Sequence, residues 1–326
     1  MENIKLIEKL DLVRLNIQLT KKCNQRCRSC NSYLMKTDYE MSTSDVTKAI
    51  KEISNHFAIK NIAFTGGEPT LRKDILQIAE TAKKFSPNVS ITTNGFYCTD
   101  KSKVQELISA GINRFSFSYH SVGGQDEFTK VAGSEKRLRN AIEWVCEEKT
   151  KNKDIYVKIG TLFNGYNIDN LEKVLDYAES LESGIDVYIE LLDSQLPIFA
   201  GSEMNRENTK IDHKIIEEAL TRIDLWRKAG RHILLDYAGY RFMQLYFTDR
   251  DKITGQCPLG KTDIYVESNG DIKTGCWVLP SVGNIIDDDI EDILKSEAYH
   301  KNIELMMKRQ CSGCTCGYLM QGRYIR

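Results

Sequence analysis

No run of eighteen or more apolar residues occurs in this chain, which excludes a transmembrane helix. The stretch from Met1 to Leu15 is charged and lacks the apolar core of a signal peptide, so the expected compartment is the cytoplasm, with no membrane partner. Charge of one sign is missing too. Lysine and arginine number 45 against 46 acidic residues, a net charge of −1, and nothing basic enough to draw a nucleic acid. Prolines number five, and no Pro-rich linker, low-complexity tract or internal repeat divides the chain.

What is present is ordinary for a globular protein: 41% hydrophobic and 28% charged residues over 326 positions. That length allows one large domain with an annex, or two domains. A chain of about 300 residues buries ~75% of its unfolded surface, so disulfides are not needed for stability. Ten cysteines in a cytoplasmic protein therefore point to metal. Eight of the ten fall into two groups, one near each end.

The first group is Cys23, Cys27 and Cys30, spaced C-x3-C-x2-C behind an apolar segment that includes Leu12, Leu15, Ile17 and Leu19. Three thiolates in one loop can hold three irons of a 4Fe–4S cluster. The fourth iron is then open, and an open metal position is where substrate chemistry occurs. A zinc site and three unrelated core cysteines are the competing readings. Structural zinc takes four ligands in two pairs, and the nearest His or Cys outside the triplet is His56.

The chain around the triplet alternates. Residues 12–19, 61–65, 88–93, 112–119, 154–163 and 185–192 read as strands. Residues 44–57, 73–85, 101–110, 135–149, 168–182 and 212–229 read as helices, the first with Ser44 as N-cap and Val46, Ile50, Ile53 and Phe57 on one face. Such alternation predicts an α/β fold with a parallel sheet. Six units fall short of an eight-unit barrel, and periodicity does not separate a partial barrel from a doubly wound sheet. The second strand runs into Gly66, Gly67, Glu68 and Pro69, where glycines let backbone approach a ligand.

The cysteine spacing after the first strand, with Gly-Gly-Glu-Pro after the second, resembles the radical S-adenosylmethionine (SAM) superfamily. The resemblance implies a partial (β/α)6 barrel over residues 1–235. It implies that the methionine part of SAM takes the open iron of a 4Fe–4S cluster on Cys23, Cys27 and Cys30. A reduced cluster would split SAM into methionine and a 5′-deoxyadenosyl radical, fed by an electron donor such as flavodoxin or ferredoxin. Gly66 and Gly67 would offer main-chain groups to the methionine amino group, Glu68 would steady that contact, and Pro69 would stiffen the turn. Thr93 and Asn94, before Gly95, resemble a segment lying near SAM. Ser118 and His120 resemble a ribose-contacting pattern, and Asn167 resembles an asparagine following the fifth strand. For each of these, a loop polar group satisfied by nearby backbone, or for Asn167 a helix cap, is the alternative. Ser29 departs from the family, where an aromatic residue usually precedes the third cysteine.

The second cysteine group is Cys257, Cys276, Cys311, Cys314 and Cys316, in a segment where the alternation stops near Asp236. Two alternating runs flank Asn269-Gly270, a hairpin signal, with Cys276 expected in the second strand. A charged helical stretch over 289–308 leads to the last three cysteines. The pattern resembles a twitch annex, a shortened SPASM domain, over residues 236–326. Twelve residues separate Cys257 from Gly270, and five rather than the usual four separate Gly270 from Cys276. The resemblance implies one auxiliary 4Fe–4S cluster on Cys257, Cys276, Cys311 and Cys314, with Cys316 as the alternative to either of the last two. A zinc staple on the same residues is the competing reading.

Cys98 and Cys146 fall outside both groups. Cys146 reads as core. Cys98 is a candidate to return a hydrogen atom, against a packed loop thiol. Glu190 and Asp193, near the end of the sixth strand, are candidate general bases, against plain solvation. The aromatic run over 236–247 reads as packing between barrel and annex.

The function expected is an enzyme that cuts SAM reductively and abstracts hydrogen from a small polar molecule or a peptide. The first strand comes close to the start of the chain, which leans toward a small substrate or a peptide presented by another protein. The end at Tyr324-Ile325-Arg326, rather than Gly-Gly, speaks against the molybdenum-cofactor enzyme of the superfamily. A peptide-modifying maturase is the second expectation, and a non-catalytic iron–sulfur electron carrier the third.

Overall fold

The structure, a computed structural model, describes residues 12–310 except 36–38, 164–166, 182, 193–197, 205–211, 250–251, 254–256 and 309. Cys311, Cys314, Cys316 and Asp193 lie outside the described residues.

Six strands form where alternation predicts them: β1 (Arg14–Thr20), β2 (Asn61–Gly66), β3 (Val89–Thr93), β4 (Arg114–Ser118), β5 (Tyr156–Phe163) and β6 (Asp186–Leu191). They pair in parallel, in chain order, each with the next. A doubly wound sheet would reverse order at a switch point. Over β1–β6 the order never reverses, so these six strands wind as in a barrel, left open beyond β6.

The other edge of the sheet continues into the C-terminal segment. β7 (Asp263–Val266) pairs in parallel with β1, and β8 (Asp271–Lys273) and β9 (Gly283–Asn284) follow antiparallel. The hairpin expected around Asn269-Gly270 is thus β7–β8, built onto the barrel sheet. Asn16 Nδ2 donates to Asp263 Oδ1 at 3.2 Å, and Met41 N–H donates to Ser268 O at 2.7 Å across the same seam. Cys276 does not lie in the second strand of the hairpin. β8 ends at Lys273, and Gly275, at φ +64°, turns the chain before the cysteine. A Cβ at Gly275 would stand 2.1 Å from Leu259 O, so only glycine fits this turn.

The first helix spans Thr43–His56, and its cap is Ser42 rather than Ser44. Ser42 Oγ accepts from Asp45 N–H and Asp45 reaches back to the Ser42 N–H, a capping box. The helical stretch expected over 289–308 is two helices, Ile290–Lys295 and Glu297–Met307, broken at Ser296, which caps the second. The aromatic run forms the helix Tyr237–Thr248, and its Phe247 stands edge-on to Phe163 of β5 at 5.7 Å.

Alternation gives the sheet two unlike faces. Leu15, Ile17, Phe64, Ile91, Phe117, Ile159 and Val187 face the helices and are buried. The inner face carries Ser90, Thr92, Ser116, Lys158 and Asp186, which line a cavity of about 770 Å³. Among the described residues no helix is long and apolar enough to cross a membrane.

Candidate active site at the cysteine loop

The loop after β1 is fixed from both sides. Arg26 N–H and Arg28 N–H donate to Thr129 O and Phe128 O, both at 3.0 Å. Asn31 N–H donates to Ile198 O, and Met204 N–H to Arg28 O. Glu203 accepts from Arg28 and from Lys130 at 2.7 and 2.8 Å, clamping the two flanks together. Phe128, Leu162, Leu192, Phe199 and Met204 make an apolar cluster against which Cys27 and Trp277 pack.

Cys23, Cys27 and Cys30 are partly buried. Burial pushes the Cys23 thiol up to about 11, and Glu68 and Cys30 nearby push it the same way. Burial also raises Cys27 and Cys30, and for Cys27 the neighbouring Cys30 and Cys23 add to the effect. Bare thiolates are therefore unfavourable here, and a cation among them would remove that penalty. Backbone N–H groups already aim at the sulfurs: Gln25 N–H at Cys23 Sγ, 3.5 Å, and Ser32 N–H at Cys30 Sγ, 3.3 Å. Such donors stabilise iron-bound sulfur. Among the described residues no three His, Cys, Asp or Glu side chains converge on one metal-sized point. A cubane corner does not require that, because each thiolate binds a different iron. The donor set fits a 4Fe–4S cluster.

The Gly66–Pro69 turn lies directly on this loop. Gly67 N–H donates to Thr20 O and Glu68 N–H to Lys22 O, at 2.8 and 2.9 Å. A Cβ at Gly66 would stand 2.3 Å from Thr20 O, and one at Gly67 would stand 2.1 Å from Lys22 O. The glycines are therefore needed first for contact with the cysteine loop itself. An ammonium donates, so the groups the turn can offer it are carbonyls.

Glu68 is 1% exposed, and burial pushes its carboxyl above the usual range against the pull of its hydrogen bonds. Its Oε1 accepts from Thr70 N–H, Thr70 Oγ1 and Thr93 Oγ1, and its Oε2 from Asn94 N–H. Asn94 Nδ2 in turn donates to Asn24 Oδ1 at 2.9 Å. Asn24 carries no periodic or spacing signal. Only the fold brings it to a partner 70 positions away.

The model for the radical SAM superfamily matches residues 17–178, and that for the SPASM iron–sulfur cluster-binding domain matches residues 257–316. The chain belongs to the radical SAM superfamily. The superfamily implies a 4Fe–4S cluster with SAM, and the SPASM match an auxiliary cluster.

Among radical SAM proteins, the chain is 31% identical over 216 residues to a probable GTP 3′,8-cyclase of Saccharolobus solfataricus, covering 65% of each. It is 34% identical over 140 residues to a probable GTP 3′,8-cyclase of Thermococcus kodakarensis, covering 41% of this chain and 44% of that protein. The chain thus spans at most 65% of the length of these two curated relatives. In fold it is similar to Streptococcus suis SuiB bound to the precursor peptide SuiA, with TM-score 0.69, 15% identity, and 96% of this chain and 73% of that one covered. It is also similar to anSMEcpe with bound AdoMet, with TM-score 0.64, 19% identity, and coverage of 92% and 86%.

The remaining radical SAM expectations separate in space. Ser118 ends β4, half-buried. His120 follows, its ring 4.8 Å from that of Phe128, and burial pushes it down to about 4. Its Nδ1 accepts from Leu162 N–H at 3.3 Å, so the neutral ring carries its proton on Nε2. Asn167 stands at the N-cap position of the helix Ile168–Ser180, yet its side chain donates back to Leu162 O. Ser29 is buried at 2% exposure. Cys98 is 2% exposed in the main core beneath the Thr93–Gly95 turn, and burial pushes its thiol up to about 12. A hydrogen donor must reach the substrate, and this thiol packs into the core. Glu190 lies in β6 opposite Leu162 of β5 and is half-buried. Cys146 is core, as its helix predicts.

Of the second cysteine group, Cys257 and Cys276 are described, and they share one small apolar cluster with Leu259, Leu279 and Met306. Val278 belongs to this cluster and to the one around Cys27. Trp277, next to Cys276, packs its ring against Tyr265 of β7 at 4.6 Å. The two cysteine sites are thereby joined by continuous apolar packing, with this aromatic pair at the junction.

Proposed function

We propose that this protein cleaves SAM reductively at the Cys23–Cys30 loop and abstracts hydrogen from a small polar substrate held against the inner face of the sheet. A bound 4Fe–4S cluster supplies the electron that splits SAM. The chain's own residues do the rest. Carbonyls of the Gly66–Gly67 segment receive the methionine amino group. Neutral His120 offers Nε2–H to a ribose hydroxyl beside Ser118. Phe128, Phe199 and Met204 keep water from the reacting centre, as radical chemistry demands. Cys257, Cys276 and two of Cys311, Cys314 and Cys316 would hold the auxiliary cluster, which would supply electron transfer. A low-potential electron donor is the partner required.

One observation carries the choice of substrate. The inner face of the sheet is polar, and a cavity of about 770 Å³, within the usual ~300–1,000 Å³ of small-molecule sites, opens onto it from the N-terminal ends of the strands. A peptide is the second reading, favoured by the similarity over 96% of the chain to a structure holding a precursor peptide. An electron carrier is disfavoured, because the superfamily implies SAM, for which a carrier has no use.

The experiment is iron, sulfide and zinc analysis of anaerobically reconstituted protein, beside a variant with Cys23, Cys27 and Cys30 changed to alanine, with 5′-deoxyadenosine measured in both. About eight irons falling to about four, with 5′-deoxyadenosine lost, support the reading. About four irons falling to none, with zinc retained, remove the auxiliary cluster. No 5′-deoxyadenosine from the loaded wild type, with SAM and reductant present, overturns the enzyme.

A further inference from the structure

One short helix, Gln125–Thr129, stands between the cysteine loop and the end of β4. Its last residues face the cysteine loop, where Phe128 O and Thr129 O accept from Arg28 N–H and Arg26 N–H, both at 3.0 Å. Its first residue faces β4. Gln125 Oε1 accepts from His120 N–H at 3.0 Å and from Ser121 N–H at 3.1 Å, and its Nε2 donates to Ser118 O at 3.1 Å. The side chain is 1% exposed, so these three bonds hold backbone groups that water does not reach through it.

The chemistry of the amide suits the place. It accepts at one atom and donates at the other, whereas a carboxylate accepts at both and would set a charge against Ser118 O. The helix has little freedom of its own. Gln125 N–H donates to Glu135 Oε2 at 3.4 Å, and Asp126 accepts from Gly133 N–H, Ser134 Oγ and Glu135 N–H. Thr129 Oγ1 and Ser134 Oγ bond at 2.7 Å. These contacts fasten it to the start of the helix Ser134–Lys151. Phe128 packs its ring on that of His120 at 4.8 Å and belongs to the apolar cluster that touches Cys27. Close-packed interiors transmit displacement, so what moves one end of this helix moves the other. Leu162 N–H and Asn170 Nδ2 hold His120 from β5 and from the helix Ile168–Ser180. Gln125 adds the link to the cysteine loop.

We infer that Gln125 is a positioning residue for SAM: through the helix it heads, it fixes the end of β4, from Ser118 to His120, relative to the loop that carries Cys23, Cys27 and Cys30. The inference rests on the reading above, that Ser118 and His120 meet the ribose of SAM, and names the residue that holds them in register with the cluster. The two ends of this strut receive opposite ends of one ligand. Slack between them therefore weakens SAM binding. Iron loading is a separate matter, because the cysteine loop is also held by the Gly66–Pro69 turn and by Asn94. Loss of the Gln125 bonds thus separates SAM affinity from cluster content, which a general loss of folding does not do.

The test compares full-length wild type with Q125M and Q125E. Methionine is close to glutamine in size and removes all three bonds, whereas glutamate keeps the acceptor and turns the donor into a second acceptor facing Ser118 O. In the apo proteins, amide hydrogen exchange is followed at 118–121 and at 26–28. Q125M should speed exchange in both segments, although the acceptors of Arg26 and Arg28 are backbone atoms that the substitution leaves in place. The reconstituted proteins are then titrated calorimetrically with SAM, without oxygen or reductant. Iron content should match wild type, while the dissociation constant for SAM rises about tenfold in Q125M and rises in Q125E as well. Faster exchange confined to 118–121, or wild-type SAM affinity in the variants, overturns the inference. Loss of iron from both variants overturns it too, since Gln125 would then serve the fold alone. The wild-type preparation is also assayed for 5′-deoxyadenosine with SAM and reductant. Cleavage by wild type with unchanged SAM affinity in the variants sinks this inference alone, whereas SAM binding without cleavage sinks the reading of function and leaves the positioning role standing.

Discussion

Asn94 Nδ2 donates to Asn24 Oδ1 at 2.9 Å, and this one bond closes a ring of contacts around the candidate SAM site. The cysteine loop holds the Gly66–Pro69 turn through backbone bonds, Glu68 holds the end of β3, and Asn94 returns to the cysteine loop. Each part of the ring fixes the next. The cluster ligands are thus positioned from β1, β2 and β3 together.

Removing Glu68 should therefore loosen all three. E68A leaves four buried or half-buried donors without their acceptor. Each unsatisfied buried donor costs about 1–3 kcal/mol, so a loss of at least ~2 kcal/mol is expected in denaturant unfolding of the apo protein. E68Q should retain much of that stability, but its amide would face the Asn94 N–H, and SAM affinity should fall with it. Wild-type stability in E68A would show that the ring does not exist in solution.

G67A is the sharper probe of contact between turn and cysteine loop. Its new Cβ would lie 2.1 Å from Lys22 O, so one of the two backbones must move. Iron content after reconstitution should drop well below that of wild type, and 5′-deoxyadenosine formation should be lost. A G67A protein that loads iron fully would mean that the two segments are farther apart than described.

His120 makes a prediction about pH. Burial holds it near 4 in the folded protein against an ordinary value near 6.5. As pH falls below 6.5 the unfolded chain takes up a proton that the native ring refuses, so stability contributed by the neutral ring is lost between 6.5 and 4. H120Q should flatten the stability profile of the apo protein across that window. An unchanged slope would place the titration elsewhere.

Trp277 tests the junction between the two cysteine sites. It is half-buried, so W277A should destabilise by about 2 kcal/mol, below the ~3–5 kcal/mol of a fully buried aromatic. Water admitted beside Cys27 should also speed loss of iron from the first site in air. Equal rates of iron loss in wild type and W277A would show that the Tyr265–Trp277 pair does not seal the site.

The sequence alone determined the parts whose signal is local. Cys23, Cys27 and Cys30 are legible because cluster ligation needs only a short spacing in one loop. The six strands are legible because burial on one face imprints period-two alternation. Capping already depends on finer geometry, and there Ser42 displaced Ser44 because its side chain meets Asp45 N–H.

Tertiary structure decided whatever depends on partners remote in the chain. Strand order is one such matter, since alternation records which face is buried and not which strand lies alongside. The joining of β7 to β1 is another, sealed by Asn16 and Asp263 across 247 positions. The Asn24–Asn94 bond, the burial of Cys98 and the seating of the cysteine loop on Phe128 and Thr129 are of the same kind. A charge or an amide carries no periodic mark of its partner, so only packing brings the two together.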